Sequence, residues 1–370
     1  MLGFGSKFIP TKLPLINPKF ISFYVSRCRR VASTALPDLA FTTRGTQLFQ
    51  LNNYKGRAIH SNETMGTTNG ATKTTGALDE GQIFEWYPLD LVRDYEQQKQ
   101  HDNNDQPQNG SNGTTHKPEP FALVVLNQPL THLGLVKRLW KNASIRVAAD
   151  GGANCLYDVA GKNGDHDFDD LTAIIGDLDS LTTETRTYFI THSSSPTASQ
   201  TAIIHEPSQY STDFAKSVDY LRDPSCSKPD APPPDIVAIG GLGGRVDQGL
   251  SQLHHLYLFQ SSPTYADGRM YLFSGESLTF LLKSGTHRIR VREPGQANQP
   301  EKDVFAKWVG ILPVKEPSRI WTKGLEWDVE DWPTEFGGQV STSNHVLPET
   351  EVVEVRATKD VLFTIALRDL

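Results

Sequence analysis

From Phe121 onward, short and nearly continuous apolar runs alternate with segments whose apolar residues recur at helical spacing. The runs are Phe121–Leu126, Ile145–Ala149, Leu171–Ile175, Ile236–Ile239 and Met270–Phe273. They are too short for helices and too uniformly apolar for strands with one wet face, so they read as buried strands. Between them the pattern predicts helices near Leu130–Trp140 and from Ala153 to about Ala160. Another helix is capped by Ser211 or Thr212, with Phe214, Val218 and Leu221 at i, i+4 and i+7. A last one follows the glycines at 240–244 and places Val246, Leu250, Leu253 and Tyr257 on one face. Strands of this kind separated by helices form a mostly parallel sheet covered on both sides.

After about Gly275 helical periodicity disappears. Leu278–Leu282, Phe305–Val314, Arg319–Trp327, Glu351–Val355 and Val361–Leu367 read as β segments joined by turns, and Val361, Phe363, Ile365 and Leu367 share one face of the last. The fold class is therefore α/β: an N-terminal, mostly parallel, Rossmann-like sheet domain followed by an all-β sandwich. The expected divisions are an extension over 1–77, an α/β domain over 78–274 with a disordered insert at 97–118, and a sandwich over 275–370. Gly81–Tyr95 carries Ile83, Phe84, Trp86, Tyr87, Leu89, Leu91 and Val92, too apolar for a linker, and is expected to pack on the domain behind it. The loop Pro294–Asp303 is too polar to be core.

Composition changes this picture at the N-terminal end. Residues 1–60 hold nine Lys or Arg against the single acid Asp38, and the rest of the chain is acidic, for a net charge of −7 overall. The basic, acid-free first 37 residues resemble a mitochondrial presequence, although Pro10, Pro14 and Pro18 would interrupt an amphipathic helix. A cytoplasmic location is the first expectation and a mitochondrial one the alternative. The acidic body argues against nucleic acid as a partner. No apolar run reaches roughly 18 residues, which argues against a membrane span. Cys28, Cys155 and Cys226 form no zinc spacing and read as reduced thiols.

The chemistry sits where apolar strands give way to turns. Asp150-Gly151-Gly152-Ala153-Asn154 and Asp177-Leu178-Asp179 each follow a strand, and Asp213 opens a helix. In parallel α/β sheets, ligands bind beyond the carboxyl ends of the strands, so one rule sends these acids to one rim. Close carboxylates repel, and a divalent cation with oxygen ligands removes that cost. Asp150, Asp177, Asp179 and Asp213 are accordingly the candidate metal ligands. Gly243 and Gly244, within the 240–244 glycine run, offer backbone amides to a phosphate, and Arg245 adds a guanidinium fork. Asp247 could simply pair with Arg245, Gln248 could orient a phosphate or a metal-bound water, and Lys216 could reach a phosphate. His254 and His255 read as packing or surface residues. Ser341-Thr342-Ser343-Asn344 reads as a β turn.

These pieces, in this order, resemble the thiamine pyrophosphokinase family. The matching stretches are Asp150 to Asn154, Gly176-Asp177-Leu178-Asp179-Ser180, Ser211-Thr212-Asp213 with Lys216, and Gly240 through Gln248. The β part adds Gly310-Ile311-Leu312-Pro313, Thr322 to Trp327, Phe336-Gly337-Gly338 and Ser341 to Asn344. The resemblance implies ATP as co-substrate, Mg²⁺, and attack of the thiamine hydroxyl on the β-phosphorus with release of AMP. It also implies a homodimer with active sites between subunits. Asp177, Asp179, Asp213 and Arg245 then match catalytic positions. Asp150, Gly151, Gly152, Asn154, Lys216, Gly243, Gly244, Asp247 and Gln248 match the nucleotide side, and Ser343, Asn344 and Phe363 the thiamine side. Phe363 stands where family members often place a tryptophan against the thiamine ring, and phenylalanine is the weaker stacking face for a cation. Asp213 and Asp179 both remain candidates for accepting the hydroxyl proton. A DxD glycosyltransferase and a non-catalytic thiamine or nucleotide sensor are the alternatives; product analysis separates the first and absence of AMP release the second.

Overall fold

The computed structural model describes residues 82–93, 119–164, 166–192, 200–223, 232–299 and 303–368. The expected N-terminal extension, the 97–118 insert, Cys28 and Cys226 lie outside the described residues.

The strands are β1 (Ile83–Trp86), β2 (Phe121–Val125), β3 (Ile145–Ala149), β4 (Ala173–Gly176), β5 (Ala202–His205), β6 (Asp235–Ile239), β7 (Met270–Phe273) and β8 (Ser277–Leu282). They continue as β9 (Gly285–Arg290), β10 (Phe305–Leu312), β11 (Ser318–Lys323), β12 (Trp332–Thr334), β13 (Ser341–His345), β14 (Val352–Ala357) and β15 (Val361–Leu367). The helices are α1 (Pro88–Val92), α2 (Leu133–Asn142), α3 (Gly152–Val159), α4 (Thr183–Thr191), α5 (Asp213–Arg222) and α6 (Val246–Leu258).

The α/β expectation holds, and the helix-connected strands are parallel in the order β7-β6-β2-β3-β4-β5. Each strand sends alternate side chains to opposite faces. Leu123 and Val125 join Leu135, Leu139 and Trp140 of α2 on one side, while Ala122 and Val124 join Phe214, Val218 and Leu221 of α5 on the other.

The β-rich C-terminal part is also present, but no gap near residue 275 separates two sheets. β7 pairs antiparallel with β8, so β8, β15, β10 and β13 extend the same sheet to ten strands. A second sheet, β1-β9-β14-β11-β12, covers this extension. Its edge strand β1 comes from the far end of the chain and pairs parallel with β9. The apolar segment around Trp86 is thus part of the sandwich, while the Asn142 amide, donating to Leu91 O and Arg93 O, ties its other end to α2.

One strand is added and two expectations change. β5 lies in a stretch that reads as polar insertion, because only Ile203 and Ile204 mark it between Ser, Thr and Pro residues. Asp303, at the end of the polar 294–303 loop, is buried and ion-paired with Arg292, Nε to Oδ1 2.8 Å. And α6 docks through Gln252, His255 and Leu256, leaving Val246 77% and Leu250 57% exposed. The apolar stripe of α6 lies on a different side of the helix from the docked residues, so only its later members, Leu253 and Tyr257, touch the core.

Candidate active site

β3 and β4 are parallel neighbours, so their carboxyl ends deliver Asp150 and Gly176-Asp177 to one place. The turns are tight. Asp150 and Leu178 take left-handed backbone conformations, φ 43° and 63°. Gly152 is required by space: a Cβ there would lie 2.2 Å from the Val125 carbonyl oxygen. A Cβ on Gly176 would meet Asp150 Cβ at 2.7 Å and Asp213 Oδ1 at 3.0 Å. The missing side chain at Gly176 lets Asp150 and Asp213 flank it closely.

Asp150, Asp177 and Asp179 each offer a carboxylate oxygen within 4.8 Å of the others, and no other such group occurs among the described residues. Asp150 is 3% exposed. Its Oδ2 accepts from the Ser180 amide at 3.1 Å, whereas its buried Oδ1 has no partner. Burial, together with the charges of Asp213 and Asp179, pushes its pKa up against the pull of the Ser180 amide. Asp177 is held low by the Gln209 side chain, whose Nε2 donates to Oδ2 at 2.7 Å, and then by the Asp179 amide. An orphaned, buried carboxylate oxygen beside two more acids has the donor chemistry of a hard divalent cation. The site fits such an ion.

Asp213 comes close without joining the three. It is the first residue of α5, and its Oδ1 accepts from Lys216 Nζ at 2.9 Å. Lys216 is buried, so its charge is fixed on the wall of the site, where it also helps hold Asp177 low. Asn154 has a structural task beyond the expected one: it donates to Ser180 O at 2.7 Å and accepts from the Thr182 amide at 3.1 Å, clamping the loop that carries Asp177 and Asp179.

The glycine run after β6 turns tightly, with Gly240 at φ 73° and Gly244 at φ 64°. A Cβ on Gly240 would lie 2.9 Å from Leu126 O, and nothing approaches a Cβ on Gly243 within 4 Å. Gly243, Gly244, Arg245, Asp247 and Gln248 are all exposed. Arg245 forks onto Asp247, with Nε donating to Oδ1 at 3.1 Å, so the carboxylate cluster and this cation are not in contact.

On the β-rich side two expectations are corrected. Ser341 to Asn344 is not a turn but most of β13, the edge strand paired with β10. Ser343 there is exposed at φ 55°, while Asn344 is buried and bonds both the amide and the carbonyl of Trp327, at 3.1 and 2.9 Å. Phe363 offers no face to a ligand. It is fully buried, 5.3 Å from the Phe280 ring, because Val361, Phe363 and Ile365 point between the sheets.

Asn127, Gln128 and Gln209 were not singled out from sequence. The Asn127 amide lies 2.3 Å from where a Cβ on Gly151 would be, and Gln128 Oε1 2.9 Å from one on Gly244, so one loop after β2 touches both glycine turns. The strand-end rule that found Asp150 applies equally to Asn127-Gln128. Gln209, in a polar stretch before α5, carries no such signal.

Residues 136–266 match the family described as "Thiamin pyrophosphokinase, catalytic domain", and residues 286–362 match "Thiamin pyrophosphokinase, vitamin B1 binding domain". The chain is 33% identical over 258 residues to thiamine pyrophosphokinase 3 of Oryza sativa subsp. japonica, covering 67% of this chain and 87% of that relative. Its structure resembles thiamin pyrophosphokinase from Candida albicans at a TM-score of 0.56 and 27% identity, over 68% of this chain and 90% of the other. The yeast thiamin pyrophosphokinase structure shares the fold at a TM-score of 0.59 and 22% identity, over 80% of this chain and 95% of the other. Neither the glycosyltransferase nor the sensor is favoured.

Proposed function

Because this chain belongs to the thiamin pyrophosphokinase family, we propose that it transfers a diphosphoryl group from ATP to the thiamine hydroxyl, releasing AMP. The observation that carries the reading is the convergence of Asp150, Asp177 and Asp179, one of which, Asp150, keeps a buried and unpartnered Oδ1. These three would hold Mg²⁺. When bound, that ion neutralises polyphosphate charge and orients it for in-line transfer.

The remaining chemistry belongs to the chain. Lys216 keeps a buried positive charge at the rim, and Gly243, with nothing within 4 Å of a Cβ there, leaves room for its backbone to approach a phosphate. Arg245, exposed and engaged among the described residues by Asp247 alone, would swing to the transferred group when a stronger anion competes for its fork. Asp179 or Asp213 accepts the hydroxyl proton. Thiamine would sit against the exposed Ser343 end of β13, not on Phe363.

A homodimer with shared sites is supported by exposed apolar surface near both halves of the site. Val246 and Leu250 stand uncovered on α6, and Trp308, Trp327 and Phe336 stand uncovered on the β-rich side. Purified protein incubated with ATP, Mg²⁺ and thiamine should yield thiamine diphosphate and AMP in equal amounts. Release of ADP, or no thiamine product, would refute the reading.

A further inference from the structure

We propose that His255 is a positioning residue for the acidic rim, holding the first turn of α5, and with it Asp213 and Lys216, by accepting the hydroxyl proton of Thr212. The inference rests on the reading above that this rim is the catalytic one.

Thr212 is the N-cap of α5, and its Oγ1 accepts from the Ala215 amide at 3.1 Å. The same oxygen lies 3.0 Å from His255 Nε2. Which partner donates is decided on the other side of the ring. His255 Nδ1 faces the Ser251 carbonyl oxygen at 2.5 Å, and a carbonyl can only accept, so Nδ1 carries a proton; burial pushes the ring's pKa down, so the ring is neutral and Nε2 is bare. The Thr212 hydroxyl therefore donates to His255 while accepting from Ala215. Both of its roles are fixed, and the cap cannot rotate away.

The histidine itself is held firmly. It is buried in the docked stripe of α6, its ring stacked on Phe259 at 5.5 Å and packed against Phe214 at 5.1 Å. Its Nε2 reaches the residue next to Asp213, whose carboxylate grips Lys216 and abuts Gly176. The helix that begins at the glycine turn thus fixes the start of the helix that supplies an acid and a buried cation. At their rim ends the two helices are linked by this hydrogen bond between side chains, while the Arg222 guanidinium, donating to the Phe259 carbonyl at 2.8 Å, ties their far ends.

The test compares variants that separate ring from acceptor. His255→Phe keeps the ring and removes the acceptor; His255→Gln keeps an acceptor on a flexible stem; Thr212→Val removes the hydroxyl and keeps the shape. His254→Gln, an exposed neighbour, is the control. In the full chain one measures kcat, KM for thiamine, and amide exchange of the 213–217 segment by mass spectrometry. His255→Phe should lower kcat about tenfold with KM within twofold, on the scale of a lost helix cap, and should speed exchange at 213–217 but not in the sandwich. His255→Gln should recover most of the kcat, and Thr212→Val with His255→Phe should be no worse than Thr212→Val alone. Equal losses in the Phe and Gln variants, multiplying effects in the double variant, or unchanged exchange in His255→Phe would overturn the proposal. Should His255→Phe not fold, the exposed cap variant Thr212→Val carries the same comparison against Thr212→Ser. A wild-type protein that makes no thiamine diphosphate refutes the proposed function, while the exchange data still decide the His255–Thr212 link.

Discussion

The Ser180 amide donates to one oxygen of Asp150 at 3.1 Å, and the other oxygen of the same carboxylate is buried with nothing bonded to it. That asymmetry sets a trade between stability and activity. A buried carboxylate with a raised pKa, repelled by Asp213 and Asp179, is a local cost that a bound cation removes. Asp150→Asn keeps the shape and deletes the charge. It should abolish turnover, by at least about a hundredfold, while melting at the same temperature as wild type or a few degrees above it without metal. Added Mg²⁺ should raise the wild-type melting temperature and leave the variant unmoved. A variant that melts well below wild type, or still turns over, would contradict the cluster's role.

Two glycines, in the turns after β3 and β6, should respond oppositely to alanine. At Gly152 a methyl group would meet a backbone carbonyl at 2.2 Å, and the strand carrying that carbonyl cannot yield. Gly152→Ala should cost about 2–4 kcal/mol and shift the urea midpoint accordingly. At Gly243 nothing lies within 4 Å, so Gly243→Ala should fold as well as wild type. Equal midpoints for the two variants would show that the turn after β3 is not held as described.

Much of this site was legible because one physical rule covers it. Buried parallel strands are nearly continuous in apolar residues, and their carboxyl ends are where polar residues collect, so Asp150, Asp177 and Asp179 could be placed without coordinates. Asp213 was legible as the start of a capped helix. The rule stops where contacts are long-range. Gln209 meets Asp177 across 32 positions of sequence, and Thr212 meets His255 across 43, with no periodicity linking either pair. The face of α6 differs for a related reason: hydropathy marks Val246 and Leu250, but the helix docks through Gln252, His255 and Leu256, whose partners are distant in sequence. Phe363 was given a ligand role by resemblance alone, whereas its alternation with Val361 and Ile365 already grouped it with the residues that fill the core.

The buried Phe363 predicts a stability phenotype in place of an affinity one. Its ring fills the space between the sheets beside Phe280, so Phe363→Ala leaves a cavity and should cost about 3–5 kcal/mol. At a temperature where the variant remains folded, KM for thiamine should stay within about threefold of wild type, under 1 kcal/mol of binding. A large rise in KM at unchanged stability would restore a ligand-stacking role to this residue.

The pairing of Trp86 with His287 makes folding sensitive to mild acid. Trp86 Nε1 donates to His287 Nδ1 at 3.0 Å, and His287 Nε2 lies 2.8 Å from the Lys283 carbonyl oxygen, so the buried ring is neutral with its proton on Nε2. Burial, aided by the charge of Arg269, brings its pKa down to about 4, against a pull upward from the Lys283 carbonyl. An unfolded histidine titrates near 6.5. Between pH about 6.5 and about 4 the unfolded chain therefore binds a proton that the folded chain refuses. Stability from this residue is complete above that window, falls as pH drops through it, and levels off below. The full difference is about 3 kcal/mol. Because β1 reaches the sandwich from residues 83–86, this loss should loosen that edge first. Urea midpoints measured from pH 7 to 4 should decline more steeply for wild type than for His287→Gln, which can accept from Trp86 and donate to Lys283 without titrating. Parallel declines in the two proteins would show that His287 is not the group being charged.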